Sequence, residues 1–273
     1  MVAINIISFL IAISLCLQSL KWARREPNHA KYFLALRVFG LLFVSVALYR
    51  SVFVSSYPNR LAWFDTIFNS PLVIRCLACL AELSFIGMIA AVLLKLNGEM
   101  AFTDGRSHGK QTNAVLAKSP LVAVGCIFVA QFFAFAGLIT QYHTLFAIEE
   151  TLWALAFLSI TPLIAIRLRQ LNGQNSGSYR PFLIIMAVWC VGYLAFQCLY
   201  ALPFIHFANI SQDVGKLIPP DALRQAIFNY TATRNFDTWG GIGFFIWHSC
   251  YFSVCVWMVL FFMSAPRRRN NIA

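Results

Sequence analysis

Seven apolar stretches separated by polar ones set the rhythm of this chain: 2–20, 32–54, 71–94, 120–142, 150–168, 181–204 and 240–264. Each is close to the roughly 20 residues that a helix needs to cross a hydrocarbon core about 30 Å thick. The pattern predicts an all-α, polytopic membrane protein: one domain over 1–273, a single bundle of seven transmembrane helices. Gly, Pro, Asn and Ser punctuate the connectors, and Pro58, Pro71, Pro120 and Pro181 fall at or beside run starts, where a helix tolerates proline.

The sixth connector, 205–239, is the long one and carries IPPDALRQAIFNYTA. Its spacing predicts a short amphipathic helix starting near Pro220 or Asp221, with Ala222, Leu223, Ala226 and Ile227 on one face, lying on the membrane surface or capping the bundle. Spans one to three and five to seven match in number and connector length, yet no residue pattern repeats between them.

Basic residues orient the bundle. The first, third and fifth connectors and the tail, 265–273, hold four, four, three and three Lys and Arg, against one, none and three in the second, fourth and sixth. Positive connectors stay cytoplasmic, so the N-terminus is expected outside and the basic tail inside, with Arg267, Arg268 and Arg269 near anionic lipid heads. Both N-glycosylation sequons, at Asn209 and Asn229, fall in the sixth connector and agree with an outer placement if the chain enters a eukaryotic secretory pathway. The first run has no basic residue before it and no small-x-small cleavage site, but Lys21, Arg24 and Arg25 follow it, which fits a retained first helix.

Composition sharpens this picture without changing it. The chain of 273 residues is 60% hydrophobic and 11% charged, which departs from soluble norms. The net charge of +11 does not point to nucleic acid, because its basic residues sit in short segments between apolar runs. All eight cysteines lie inside those runs, where no disulfide is expected.

The candidate chemistry lies in RCLACLAELSF, residues 75–85, which puts Arg75 and Glu82 inside span three. A charge at mid-bilayer costs about 2.5–3.5 kcal/mol on insertion scales, so such residues face the bundle interior or reach the interface. Arg75 is near the outer end and can snorkel, whereas Glu82 is eleven residues in, roughly 16 Å at 1.5 Å per residue. Side chains lean toward the start of their helix, which turns Arg75 away from Glu82 and makes Arg50, descending from span two, the expected partner. A packing ion pair, a protonated Glu82, and a ligand, proton or metal site all fit. Ala78, Ala81, Gly87, Ala90 and Ala91 give span three a surface that neighbours can approach closely, and so a central place.

Tyr193, Gln197 and His248 complete the candidate ligand-binding set with Arg50, Arg75 and Glu82, and Gln131 lies within reach of the same pocket. Glu149 and Glu150 open span five, where the helix dipole favours negative charge. No catalytic residue, metal site or cofactor is predicted. Haem is disfavoured because His248 alone lies well within a span, and retinal because the last span has no lysine. Span three ends in LLKLNGEM and span seven lacks Asn-Pro-x-x-Tyr, so the signatures of G-protein-coupled receptors are missing and no family is recognised. The reading is a protein of the bilayer that binds a small molecule or lipid in an outer-half polar pocket, sensor or receptor-like. The alternatives are a membrane enzyme or transporter handling protons or metal through Glu82 and His248, and a structural subunit of a membrane complex.

Overall fold

The computed structural model describes residues 2–25, 29–103, 110–171 and 178–264; the expected tail, 265–273, lies outside them. The helices are α1 (Val2–Arg25), α2 (Ala30–Val52), α3 (Pro71–Thr103), α4 (Lys110–Thr140), α5 (His143–Gln170), α6 (Tyr179–Phe196), α7 (Ala222–Phe228), α8 (Gly241–Cys250) and α9 (Val256–Met263). From α6 the chain continues helically through a π-helical stretch, Gln197–His206, and a 3-10 stretch, Phe207–Asp213. Pro203 lies inside the π-helical stretch and has no N–H to give, which removes a bond that would hold ordinary α-winding. A second π-helical stretch, Tyr251–Cys255, joins α8 to α9.

Five stretches are long and apolar enough to cross a membrane: Ala30–Val52, Pro71–Met100, Ala114–Thr140, His143–Gln170 and Tyr179–Asp213. The chain is therefore an all-α, multi-pass membrane protein. The expected count of seven spans is not met within the described residues. Within the described residues the first and last runs give the shorter apolar helices Val2–Gln18 and Ser253–Met263.

Consecutive helices from α1 to α6 pack as neighbours, and α9 returns against α1, α2 and α3. Hydrocarbon tails compete with apolar side chains, so close van der Waals packing and internal hydrogen bonds hold such a bundle. The core is a continuous aromatic and aliphatic cluster in which Phe43 and Phe262 both meet Phe85, with ring centroids 5.6 and 6.4 Å away. Where helices touch most closely a glycine intervenes: a Cβ on Gly40 would overlap Met263, and one on Gly137 would sit 3.0 Å from the Phe146 ring. Ala78, Ala81 and Ala90 of α3 are buried, as a central helix requires. Arg37 is buried too, donating to the Met263 carbonyl (3.1 Å) and the Leu15 carbonyl (2.6 Å). It thereby ties α1, α2 and the last turn of α9, whose carbonyl end favours a cation.

The second, fourth and sixth connectors meet at one end of the bundle. Three two-residue strands, absent from the sequence expectation, bind them: β1 (Ser55–Ser56) runs antiparallel to β2 (Leu61–Ala62), which pairs in parallel with β3 (Thr231–Ala232). Tyr142 donates to the Lys216 carbonyl at 2.7 Å, Tyr230 to the Thr66 carbonyl at 2.9 Å, and Arg60 to the Leu138 carbonyl at 3.1 Å. Helix α7 caps α3 and α4 with Ala222 and Ala226 buried, while Leu223, expected on that face, is 55% exposed. Gly240 and Gly241, at φ 89 and 57, make the left-handed turn that feeds α8.

Helix boundaries differ from the apolar runs in three places. Helix α4 starts at Lys110, so Pro120 lies inside it rather than at its start. The long connector begins after Asp213, because α6 continues helically past residue 205. Helix α5 starts at His143, and its free amides explain why: Asp213 accepts from His143 N (2.9 Å), Thr144 N (2.8 Å) and Thr144 Oγ1 (2.6 Å).

Candidate functional site

The earlier start of α5 moves Glu149 and Glu150 from a helix terminus to nearly two turns inside the bundle. Glu149 is buried and faces α3, where its Oε1 lies 3.5 Å from Arg75 Nη1. The dipole explanation for this acidic pair therefore gives way to a tertiary one.

Arg75 is fully buried and is the hub. Its Nη1 and Nη2 donate to Glu82 Oε1 and Oε2 at 3.1 and 2.9 Å, a fork that matches carboxylate geometry. Glu82 is thus partnered by Arg75, not by Arg50 as the side-chain lean suggested, and Arg75 does not snorkel. The two are seven residues apart, about 10.5 Å of helix rise. The lean of Glu82 toward the helix start closes part of that gap, and the long arginine stem turns inward to close the rest.

Gln131 of α4 completes the first ring. Arg75 Nη2 donates to Gln131 Oε1, and Gln131 Nε2 donates to Glu82 Oε2 (3.0 Å) and to the Ile127 carbonyl (3.0 Å). Tyr57, from the connector before α3, covers the guanidinium: Arg75 Nη1 donates to its hydroxyl at 3.0 Å, and the guanidinium lies 5.1 Å from the ring centroid. Burial, with Glu149 close by, raises the Tyr57 phenol above its ordinary value, so it stays protonated at neutral pH. The Phe135 ring lies 5.7 Å from the guanidinium.

Glu150 looks toward α6. Its Oε2 accepts from Tyr193 Oη (3.4 Å) and Gln197 Nε2 (2.5 Å), and the same Nε2 reaches Tyr193 Oη at 2.7 Å. Gln197 is the first residue of the π-helical stretch and is buried. Side chains from α3, α4, α5, α6 and the connector before α3 therefore share one depth, toward the end covered by the connectors.

Of the six residues expected to form a pocket, Arg75, Glu82, Tyr193 and Gln197 belong to this assembly. The contacts that join it involve neither Arg50 nor His248; His248 stacks on Phe244 with centroids 5.1 Å apart. Sequence reasoning missed Tyr57, Glu149 and Glu150 as members. The carboxylates carried a legible signal, two adjacent acids beside an apolar run, while Tyr57 in a connector carried none. Among the described residues no three His, Cys, Asp or Glu side chains group so as to hold a metal ion.

The fold and this site define a multi-pass helical membrane protein with a polar cluster buried among its helices. Compared with family models, curated proteins and solved structures, the chain matches none.

Proposed function

We propose that the protein binds a small molecule or lipid at the Arg75 cluster, in the outer half of a bundle that crosses the membrane seven times from an outside N-terminus, as a sensor or receptor. One observation carries the reading: a single guanidinium is surrounded by Glu82, Glu149, Gln131 and Tyr57, with Glu150, Tyr193 and Gln197 continuing the cluster. A helix-packing ion pair needs two of these groups. Polar side chains converging from several helices in an apolar bundle are the usual make-up of a ligand site. Arg50 and His248 would line its edge, and glycans on Asn209 and Asn229 would fit the outer end.

Ligand binding to the folded state raises its stability, so a bound species must reveal itself in unfolding. Protein purified in mild detergent is expected to carry a stoichiometric species by native mass spectrometry, and stripping it is expected to lower the melting temperature. The Glu82→Gln variant should fold yet retain less of that species. Equal retention, or an empty wild-type bundle, would defeat the binding reading.

A second reading rests on the imbalance of three carboxyl groups against one guanidinium. A proton-coupled transporter or enzyme uses such an excess to take up protons. It predicts that Glu82→Gln stops turnover or transport in proteoliposomes without loss of folding.

A further inference from the structure

We infer that the Glu150 side of the cluster is a subsite for an ammonium group carried on an apolar body. The inference rests on the binding reading above and specifies its ligand class. Glu82 and Glu149 have Arg75 as counter-ion, but no basic side chain among the described residues lies within ion-pair distance of Glu150. Its hydrogen bonds come from neutral groups and all fall on Oε2. A carboxylate so placed is open to a cation from outside the chain.

Two further features describe that cation. Gln197 is 1% exposed, and its Oε1 has no hydrogen-bond partner although its Nε2 rests on the Glu150 carboxylate. A buried acceptor left open beside an acid suits a donor with more than one N–H, which an ammonium supplies. The surroundings are aromatic: Tyr193 has the rings of Phe157, Trp189 and Trp153 at 4.9, 6.2 and 6.3 Å between centroids. Aromatic faces attract organic cations, most strongly where water is excluded. Glu150, Trp153, Trp189 and Tyr193 are only half-buried. An amphiphilic amine and an amine-bearing lipid headgroup share this chemistry.

The test compares matched probes on the full chain in detergent: phenethylammonium, its neutral N-acetyl analogue and the anion 3-phenylpropionate. Phenethylammonium is expected to raise the melting temperature of the wild type while the other two do not. Glu150→Gln, which is isosteric, should weaken binding by at least about tenfold, as loss of a charge-assisted contact implies. Trp153→Leu should weaken it without touching the carboxylate. Stabilisation in phosphatidylethanolamine nanodiscs, relative to phosphatidylglycerol ones, would identify a lipid headgroup as the source and equally support the subsite if Glu150→Gln removes it. Equal responses to amine and amide, an unchanged Glu150→Gln, or no response to either ammonium source would overturn it. A neutral or anionic species that co-purifies with the wild type and is lost in Glu82→Gln would keep the binding reading while ending this one.

Discussion

Arg75 shows what a single guanidinium can do in an apolar medium. It is fully buried, yet two forked hydrogen bonds to Glu82, one to Gln131, one to Tyr57 and the nearby Glu149 replace the lost hydration of its two Nη groups, while Nε is left without a partner among the described residues. Removing it leaves carboxylates uncompensated. Arg75→Leu is expected to destabilise the bundle by roughly 3–5 kcal/mol, the usual cost of breaking a buried pair from one side. Glu82→Gln should cost less, because Gln131 and the guanidinium can still bond an amide. The double variant Arg75→Leu with Glu82→Gln should be more stable than the sum of the single losses implies. Chemical unfolding of all four proteins in one detergent measures this cycle, and strict additivity would mean that the pair does not act as a unit. The sequence made both residues conspicuous as ionisable groups inside an apolar run. It misdirected their pairing because a rule about Cβ direction is weaker than the reach of a long, flexible arginine toward a charge that can stabilise it.

At the scale of elements, sequence patterning found where the helices lie and misplaced where several of them start and stop. Apolar runs report lipid contact, whereas helix ends report hydrogen bonding. Asp213 starts α5 seven residues before the apolar run, and that carboxylate is 70 residues away in sequence from the amide of His143 that it caps. Pro203 and the π-winding around it sit inside an uninterrupted apolar pattern, so no periodicity marks them. The contact between α2 and α9 was equally hidden, since a glycine has meaning only once its neighbour is known. Gly40 lies against Met263, and an added methyl group there has no space to occupy. Gly40→Ala is expected to destabilise by about 1–3 kcal/mol through overpacking. Shortening the obstacle in the double variant Gly40→Ala with Met263→Ala should recover part of that loss. Melting temperatures of the two single variants and the double variant decide it: a double variant worse than the sum would place the clash elsewhere.

At the scale of the whole molecule, the second, fourth and sixth connectors come together at one end, joined by the β1, β2 and β3 strands and by Tyr142, Lys216 and Arg60. Charge counting along the sequence had already assigned them to one side, and neither observation depends on the other. Two such segments from distant parts of the chain pair only if they emerge at the same end of the bundle, with an even number of passes between them. In the orientation proposed above, the positive-inside rule places this end outside. The Arg75 cluster lies toward it, so the proposed ligand would, in that orientation, arrive from the outer leaflet or the exterior rather than from the cytoplasm. Cysteines introduced at Asn59 and Asp221, both exposed in the covering layer, are expected to react with a membrane-impermeant maleimide on intact cells. One at Arg169, exposed at the opposite end, should react only after permeabilisation. Labelling in the reverse order would invert the bundle and put the cluster within reach of the cytoplasm, and labelling of all three on intact cells would break the claim that the connectors share a side.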